Sequence, residues 1–437
     1  MRLLVFAHTP PPHHGQSYMV QLMLAGFGGD RRHRRSSSPA DPAAGAPPAR
    51  TDSFGIQCYH VNARLSQKLE DIGDLRIGKF VLLLGYCLQA VWCRFRYGVD
   101  TLYYIPAPGK KSALYRDWMV MLVCRRVFKH VILHWHAAGL AKWMETVLQI
   151  RARAFTYQMM KKADLSIVLS NYNRADAEKI FSRQIKIVGN GIPDPCPRFA
   201  EEVLPRRKAR FAARQKLLAG VKLEPEDLKD AGADSQIVSV LYLAHCTREK
   251  GLFDAVAAVI LANQRLAAEK SPLSLRLVVT GTFVNADDKA EFEQLSAQPA
   301  AAGAVRYLGF VSGDQKDQLL RNSDLFCFPT YYQNENQPVN LIEAMGFGLP
   351  ILTSRWRSIP ELFPANYAGL VDVRSPEQIA DSILKLIKME TGEGFRDIFL
   401  RDFTLERYLA GLAEAFHHVT DAGKGEAPAG IPQGLRP

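Results

Sequence analysis

The stretch YYQNENQPVNLIEAMGFGLP, residues 331–350, holds two glutamates, Glu335 and Glu343, on either side of a proline. Pro338 stands just before an apolar run with helical spacing, and this run ends in Gly-Phe-Gly-Leu-Pro. Proline is favoured in the first turn of a helix and glycine just beyond its end, so the stretch predicts a loop, a short helix and a turn. A helix that merely covers the surface needs no such framing, and we therefore interpret the stretch as part of a functional site.

The stretch belongs to a pattern that runs through most of the chain. Short apolar runs alternate with longer segments of helical spacing, which is typical of a parallel sheet covered by helices on both faces. The runs of the first set lie at 3–7, 101–105, 131–135, 165–170 and 185–188, and those of the second at 237–244, 275–281, 305–310, 325–329 and 350–354. The pattern predicts an α/β protein with two doubly wound, Rossmann-like domains that face each other across a cleft.

A break between the two sets marks the predicted domain boundary. Residues 192 to 235 are rich in proline and charged side chains and contain no strand-like run. We expect a first domain at 1–200, a linker region at 201–235, a second domain at 236–402, a C-terminal helix at 403–420 that packs back on the first domain, a mobile loop at 28–53 and a disordered tail at 421–437. The last two segments are rich in proline, glycine and alanine, a composition that cannot form a core.

Composition is that of a soluble globular protein. Of the 437 residues, 47% are hydrophobic and 23% charged, a balance that suits two domains and excludes a polytopic membrane protein. The seven cysteines include no C-x-x-C pair, which indicates buried thiols in a reducing compartment. The apolar run after Met1 is too short for a signal peptide and suits a first strand. We therefore expect a cytoplasmic protein.

Positive charge is concentrated in the first half of the chain. Residues 1–200 contain 28 Lys and Arg against 13 Asp and Glu, whereas the remainder contains 27 against 31. Such a surface attracts anionic lipid, a phosphorylated substrate or nucleic acid, or is simply solvated. The apolar run Phe80 to Cys93 falls short of the ~20 residues that span a bilayer. We expect a core helix there, with a helix lying in the membrane interface as the alternative.

The position of the two glutamates suggests which ligand they serve. In doubly wound sheets, ligands bind beyond the carboxyl ends of the strands, where loops lead into helices. The N–H groups at a helix start suit a phosphate, and carboxylates are strong acceptors for hydroxyl groups. A ligand with a diphosphate between a ribose and a second sugar meets both demands. The stretch therefore predicts a site for a nucleotide-sugar.

The two glutamates, followed by AMGFGLPILTS, resemble the signature of the retaining glycosyltransferases of family 4, which have the GT-B fold. The resemblance extends along nearly the whole chain. Other segments that resemble this family are HTPPPHHGQS at 8–17, HWHAAG at 134–139, SNYNRADAEK at 170–179, LYLAHCTREKG at 241–251 and SDLFCFPT at 323–330. The resemblance implies an enzyme that moves a sugar from a UDP- or GDP-sugar to a glycan or lipid-linked acceptor held by the first domain, in cell-surface polysaccharide or lipopolysaccharide synthesis.

The resemblance also implies roles for individual residues. Glu343 would hold the donor ribose, Glu335 would contact hydroxyl groups of the transferred sugar, and Lys250 would pair with the diphosphate. Gly15 would let the backbone approach the diphosphate. A neutral imidazole at His136 would serve as a hydrogen-bond donor near the leaving group. No cofactor or metal ion is expected, because fixed cations and N–H dipoles can stabilise the leaving diphosphate.

Some positions depart from the family pattern. Members often carry arginine five residues before the lysine, whereas this chain has His245 there, and Arg248 is the other candidate for the second phosphate-binding group. Glycine often follows the first glutamate, but here Asn336 does. The residues expected to contact the donor at the start of the predicted helix are Asn336, Pro338, Val339 and Asn340.

Plainer interpretations of nearby residues stay open at this point. His134 is a rival to His136, His13 and His14 are as well explained as exposed side chains, and Glu361 is better explained as a helix cap than as a substrate contact.

Two other functions share the expected architecture. A nucleotide-sugar 2-epimerase would act on the donor without an acceptor, and a catalytically silent relative would only bind glycans. As partners we expect the donor, the acceptor and a peripheral contact with anionic lipid at the inner face of the membrane, and no nucleic acid.

Overall fold

The computed structural model describes residues 1–11, 14–33, 54–65, 77–389 and 392–421, and these form two parallel sheets of six strands each. The first sheet, ordered β2-β1-β3-β4-β5-β6, comprises β1 (Arg2–Phe6), β2 (Gln57–Val61), β3 (Thr101–Tyr104), β4 (His130–Trp135), β5 (Leu165–Val168) and β6 (Ile185–Ile187). The second, ordered β12-β11-β10-β7-β8-β9, comprises β7 (Ile237–Leu243), β8 (Ser274–Thr280), β9 (Val305–Tyr307), β10 (Leu325–Phe328), β11 (Ile351–Ser354) and β12 (Leu370–Val371). The predicted pair of doubly wound domains is confirmed.

Helices cover both faces of the first sheet. Successive strand residues point to opposite sides, so a strand made only of apolar residues has two faces to bury. These helices are α1 (Gly15–Gly26), α2 (Ile77–Tyr97), α3 (Lys111–Cys124), α4 (Leu140–Val147), α5 (Ile150–Met160) and α6 (Arg174–Lys179). Leu3 and Val5 belong to a core cluster that includes α1, whereas Leu4 and Phe6 belong to a second cluster that includes α2 and α3. The strands are therefore apolar on both faces, which explains their continuous apolar runs.

The remaining helices are α7 (Phe199–Glu202), α8 (Leu204–Leu218), α9 (Pro225–Ala231), α10 (Leu252–Ala268), α11 (Ala286–Ser296), α12 (Gly313–Asn322), α13 (Val339–Gly346), α14 (Pro376–Leu386), α15 (Glu393–Asp402) and α16 (Leu405–Asp421). The segment 201–235 is largely helical. Arg210 and Arg214 of α8 form ion pairs with the buried carboxylate of Asp324, at 3.1 and 2.6 Å. These ion pairs fix α8 to the second sheet, because Asp324 also accepts a hydrogen bond from the Ser239 N–H.

The last helix returns to the first domain. Phe416 of α16 lies 6.0 Å, between ring centroids, from both Phe27 and Tyr103. Leu409 fills the space beside Gly26, where a larger residue would overlap it. The chain thus crosses between the two domains twice.

Several expectations concern other parts of the chain. His13, residues 34–53 of the expected mobile loop and residues 422–437 of the expected tail lie outside the described residues. Residues 28–33 are anchored, since Asp30 pairs with Cys58 through its backbone and with Arg32 through its carboxylate at 2.8 Å. All seven cysteines are buried and free, as the sequence predicted. Within the described ranges, no helix combines the length and apolar character needed to cross a membrane.

Candidate active site

Two loops of the second domain meet at the cleft. β7 leads into a short 3-10 helix, Arg248–Lys250, and β10 leads through residues 329–338 into α13. β7 and β10 are neighbours at the point where the strand order reverses, so their following loops diverge and leave a crevice at the carboxyl edge. Pro338 precedes α13 with φ −65° and ψ 124°, the extended conformation expected just before a helix. The helix predicted from the sequence begins at Val339.

Lys250 and Glu335 form an ion pair in this crevice. Nζ of Lys250 lies 2.6 Å from Oε2 of Glu335, and the hydroxyl of Thr330 donates to the same oxygen at 3.2 Å. The ammonium also lies 4.5 Å from the ring centroid of Tyr332 and 5.5 Å from that of Phe328. An ammonium has three N–H donors, so a Lys250 held by Glu335 and the rings retains donors for a ligand.

Gly251 allows the two loops to approach this closely. Its φ of 78° is in the left-handed region, and a Cβ there would overlap the carbonyl of Pro329. Another residue would force the loops apart and would carry Lys250 away from Glu335. The Lys-Gly pair in the sequence thus has a structural reason.

Of the two candidates for a second phosphate-binding side chain, only His245 lies with Lys250 and Glu335. Burial lowers the pKa of His245, and the charge of Lys250 lowers it further. Arg248 instead points to Glu291, with which it forms an ion pair, and its guanidinium lies 4.5 Å from the ring centroid of Phe253. In this conformation Glu291 engages the Arg248 side chain outside the crevice, so His245 is the candidate that lies beside Lys250.

Glu343 has a partner that the sequence did not suggest. Its Oε1 lies 2.5 Å from Nζ of Lys316 on α12. Burial alone would lower the pKa of Lys316, but the Glu343 carboxylate raises it above its ordinary value. Tyr18 of α1 lies close enough that its pKa is raised, first by burial and then by the charge of Glu343. The first domain thus contributes to the surroundings of this carboxylate.

The N-termini of α1 and α13 face each other across the cleft. A Cβ on Gly15, the first residue of α1, would lie 3.5 Å from Cγ2 of Val339, the first residue of α13. Helix N-termini carry N–H groups without intrahelical partners and the positive end of the helix dipole. Their approach concentrates positive potential between the domains, close to Glu343.

Four histidines of the first domain form two close pairs. Nε2 of His8 lies 2.7 Å from Nε2 of His14, and the rings of His134 and His136 lie 4.2 Å apart. His14 is half-buried and also caps α1 by accepting from the Ser17 N–H at 3.3 Å, so the open alternative of an exposed side chain does not apply to His14.

Burial keeps three of these imidazoles neutral, namely those of His8, His134 and His136. Burial lowers the pKa of His136 to about 3, with a further contribution from His14, and burial likewise lowers the pKa of His8 to about 4. His134 is fully buried and bonded to the Tyr103 hydroxyl at 2.6 Å. Within the described part of the chain, Nε2 of His136 is buried without a hydrogen-bond partner, which leaves it for a ligand.

Asn336 and Glu361 connect the domains. Asn336 is only 2% exposed, and its amide donates to Oδ1 of Asn173 in the first domain at 2.8 Å. The carboxylate of Glu361 accepts from the Asn171 and Tyr172 N–H groups at 2.8 and 2.7 Å. In this conformation the Asn336 side chain binds the first domain, and its donor contact stays a prediction. The expected helix cap at Glu361 is corrected, because its carboxylate also binds the first domain.

Asn340 has a structural partner as well. Its amide donates to the carbonyl of Leu243 at 2.9 Å and so ties α13 to the end of β7. Among the predicted site residues, Lys250, Glu335 and His245 lie together, and Glu343 lies near Val339 and Gly15 on α13 and α1. Sequence reasoning missed Lys316, Tyr18 and Thr330. Of these three, only Thr330 could have been found from the sequence, because it directly follows the predicted strand at 325–329 and lies five residues before Glu335.

Two facing Rossmann-like domains with a cation, two carboxylates and two helix N-termini at the cleft define the GT-B class. Residues 224–398 match the family model described as "Glycosyl transferases group 1". The matched residues span most of the second domain, which is therefore similar in sequence to that family.

Two individual glycosyltransferases are also similar in sequence to this chain. The chain is 27% identical over 178 residues to the amylovoran biosynthesis glycosyltransferase AmsK of Erwinia amylovora, a match that covers 40% of this chain and 41% of that protein. It is 25% identical over 177 residues to the putative colanic acid biosynthesis glycosyltransferase WcaL of Escherichia coli, with coverage of 39% and 41%. These matches span about two fifths of the relatives' length.

The solved structure of Anabaena Alr3699/HepE in complex with UDP and glucose extends the likeness to both domains. Its TM-score is 0.59 at 14% identity, and the match covers 95% of this chain and 99% of that one. At this identity the likeness shows a shared fold.

Proposed function

We propose that this protein is a retaining glycosyltransferase that moves a sugar from a nucleotide-diphosphate donor to a glycan or lipid-linked acceptor, in cell-surface polysaccharide or lipopolysaccharide synthesis. The observation that carries the proposal is the Lys250–Glu335 ion pair at the crevice where β7 and β10 diverge. Curated relatives named for amylovoran and colanic acid biosynthesis support the choice of product.

In this proposal the diphosphate binds Lys250 and the backbone N–H groups at the N-termini of α1 and α13. Glu335 accepts hydrogen bonds from hydroxyl groups of the transferred sugar, while Glu343, oriented by Lys316, accepts from the ribose. The nucleotide of the neighbouring Anabaena structure, UDP, supports a donor of this chemical kind. Which base and which sugar this chain prefers follows from the donor screen below.

The reaction breaks the bond between the anomeric carbon and the β-phosphate oxygen. The acceptor hydroxyl attacks the same face of the sugar, and its proton passes to the leaving phosphate oxygen. Negative charge grows on that oxygen, and Lys250 with the fixed N–H dipoles lowers the barrier because they are already aimed there. Neutral His136 contributes an N–H donor at the first-domain side of the cleft. Transfer without a metal ion is expected from this arrangement.

The experiment is a donor screen with two arms. UDP-, GDP- and ADP-linked hexoses are each incubated with the protein, with and without a detergent extract of bacterial lipid-linked glycans, and released nucleoside diphosphate is measured. We expect one donor to release nucleotide only when the extract is present. Release from donor alone together with an altered free sugar would identify an epimerase and contradict transfer.

A further inference from the structure

Helix α2 exposes an apolar face that no described part of the chain covers. Leu83, Cys87, Ala90 and Cys93 are buried against the first sheet. On the other side of the helix, Val81, Leu88, Trp92 and Phe95 are 67, 57, 53 and 75% exposed. Their spacings of seven, four and three residues place them on one side of the helix. Monomeric soluble proteins rarely leave such a row in water unless it binds something.

The apolar surface continues onto the neighbouring helices. Leu122 of α3 is 53% exposed and Ile150 of α5 is 72% exposed. The ring of Trp118 joins the two helices, with its centroid 5.2 Å from that of Tyr115 and 4.9 Å from that of Phe155. We call the surface formed by the exposed side chains of α2, α3 and α5 the apolar platform. It lies on the face of the first sheet opposite α1 and α16.

The segment that carries the platform is strongly basic. Residues 77–162 contain 14 Lys and Arg but only three acidic residues. Of these three, Asp117 is buried against Arg116 and Glu145 is paired with Lys179. α2 and α5 contain no acidic residue at all. Arg96 and Arg151 directly follow Phe95 and Ile150 in the sequence, and these are the most exposed apolar residues of the platform.

We infer that the apolar platform docks this protein on the surface of an anionic lipid bilayer. The apolar side chains would enter the boundary between headgroups and acyl chains, with the basic side chains at the level of the lipid phosphates. Each basic residue near an anionic bilayer adds to the attraction, so a few suffice for reversible binding. A second copy of the chain fits less well, because a symmetric contact would place the same basic surface against itself.

The inference goes beyond the proposed reaction, since the platform is separate from the cleft. It does suggest how a lipid-linked acceptor would reach the first domain. The test needs neither donor nor acceptor, so its failure and the failure of the transferase proposal are distinguishable.

The experiment measures cosedimentation with vesicles of phosphatidylcholine alone or with phosphatidylglycerol. The apolar contribution is tested by Leu88→Ser with Phe95→Ser, and the matched control is Phe310→Ser with Leu400→Ser, which removes two exposed apolar side chains (66 and 45% exposed) from the second domain. The charge contribution is tested by Arg96→Glu with Arg151→Glu against Lys289→Glu with Lys388→Glu. Circular dichroism melting shows that each variant is folded.

We expect wild type and both controls to bind anionic vesicles at low salt, to detach as the salt concentration rises, and not to cosediment with vesicles of phosphatidylcholine alone. Each platform variant should bind the vesicles at least about tenfold more weakly. Two apolar side chains inserted into the bilayer, or two charges reversed at its surface, change the binding free energy by more than the 1.4 kcal/mol that corresponds to tenfold. Equal binding by platform and control variants would overturn the inference. So would a wild-type dimer in sedimentation equilibrium that only the platform variants dissociate, because the face would then be a protein contact.

Discussion

Nζ of Lys250 lies 2.6 Å from Oε2 of Glu335, and this ion pair joins the loop after β7 to the loop after β10. In the sequence the two residues are 85 positions apart, and the reversal of strand order brings them to one crevice. A cation held ready in this way can exchange part of its interaction with Glu335 for a diphosphate.

Replacing Lys250 by Ala should weaken binding of UDP or GDP roughly 10- to 100-fold, because charge-assisted hydrogen bonds contribute about 1.5–3 kcal/mol. Binding of the corresponding nucleoside, which lacks phosphates, should change little. Isothermal titration calorimetry with both ligands measures the difference. Lys289→Ala, an exposed lysine of the same domain, is the control. Equal weakening of nucleotide and nucleoside would contradict the phosphate role.

Replacing Glu335 by Gln should lower turnover strongly while the melting temperature stays nearly unchanged. The amide retains the shape of the side chain and can still accept from Lys250 and Thr330, so the fold keeps its contacts. A neutral acceptor binds sugar hydroxyl groups less strongly than a carboxylate does. Steady-state kinetics and differential scanning calorimetry measure the two effects. If activity and fold are lost together, Glu335 has a structural role instead.

Replacing Lys316 by Ala should raise the Michaelis constant for the donor about tenfold with a smaller effect on turnover, because the lysine orients Glu343 from 2.5 Å without reaching the reacting bond. Lys316→Arg, which keeps the charge, should restore most of the affinity. A fall in turnover alone would show that Lys316 acts elsewhere in the reaction.

The neutral histidines should make the protein sensitive to mild acid. Burial lowers the pKa of His136 to about 3, whereas in the unfolded chain it is about 6.5, so the unfolded state takes up the proton first. The stability of the folded state that depends on neutral His136 is therefore fully present above pH ~6.5 and is lost as the pH falls towards 3. Between pH ~7.5 and ~5.5, each such histidine should cost about 1 kcal/mol of unfolding free energy.

Urea unfolding of wild type and His136→Gln at these two pH values measures this contribution. The variant should lose about 1 kcal/mol less than wild type on acidification. An identical pH dependence of both proteins would show that His136 is protonated in the folded state or titrates alike in both states.

Most of the fold could be predicted because buried parallel strands are continuous apolar runs. All ten predicted runs are strands, but β2 and β12 were missed. β2 reads QCYHV, and its polar His60 is tolerated because the ring bonds the carbonyl of Ala7 at 2.7 Å, a partner that only the fold reveals. β12 has two residues and leaves no pattern.

The site was predictable where its residues follow strand ends in a recognisable order, as with Lys250, Glu335 and Glu343. Lys316 and Tyr18 were not, because nothing in their local sequence indicates that α12 and α1 approach Glu343. The choice between His245 and Arg248 likewise depended on Glu291, which engages the arginine from α11. Side-chain direction across elements is a tertiary property that spacing does not determine.

The central claim is transfer of a sugar by the site that contains Glu335. The most direct test is mass spectrometry of the lipid-linked glycan fraction after incubation with the donor selected in the screen, for wild type and for Glu335→Gln. We predict that wild type adds the mass of one sugar residue to the acceptor and that the folded variant adds almost none. An acceptor left unchanged by wild type while the donor is consumed, or modified equally by both proteins, would contradict the account.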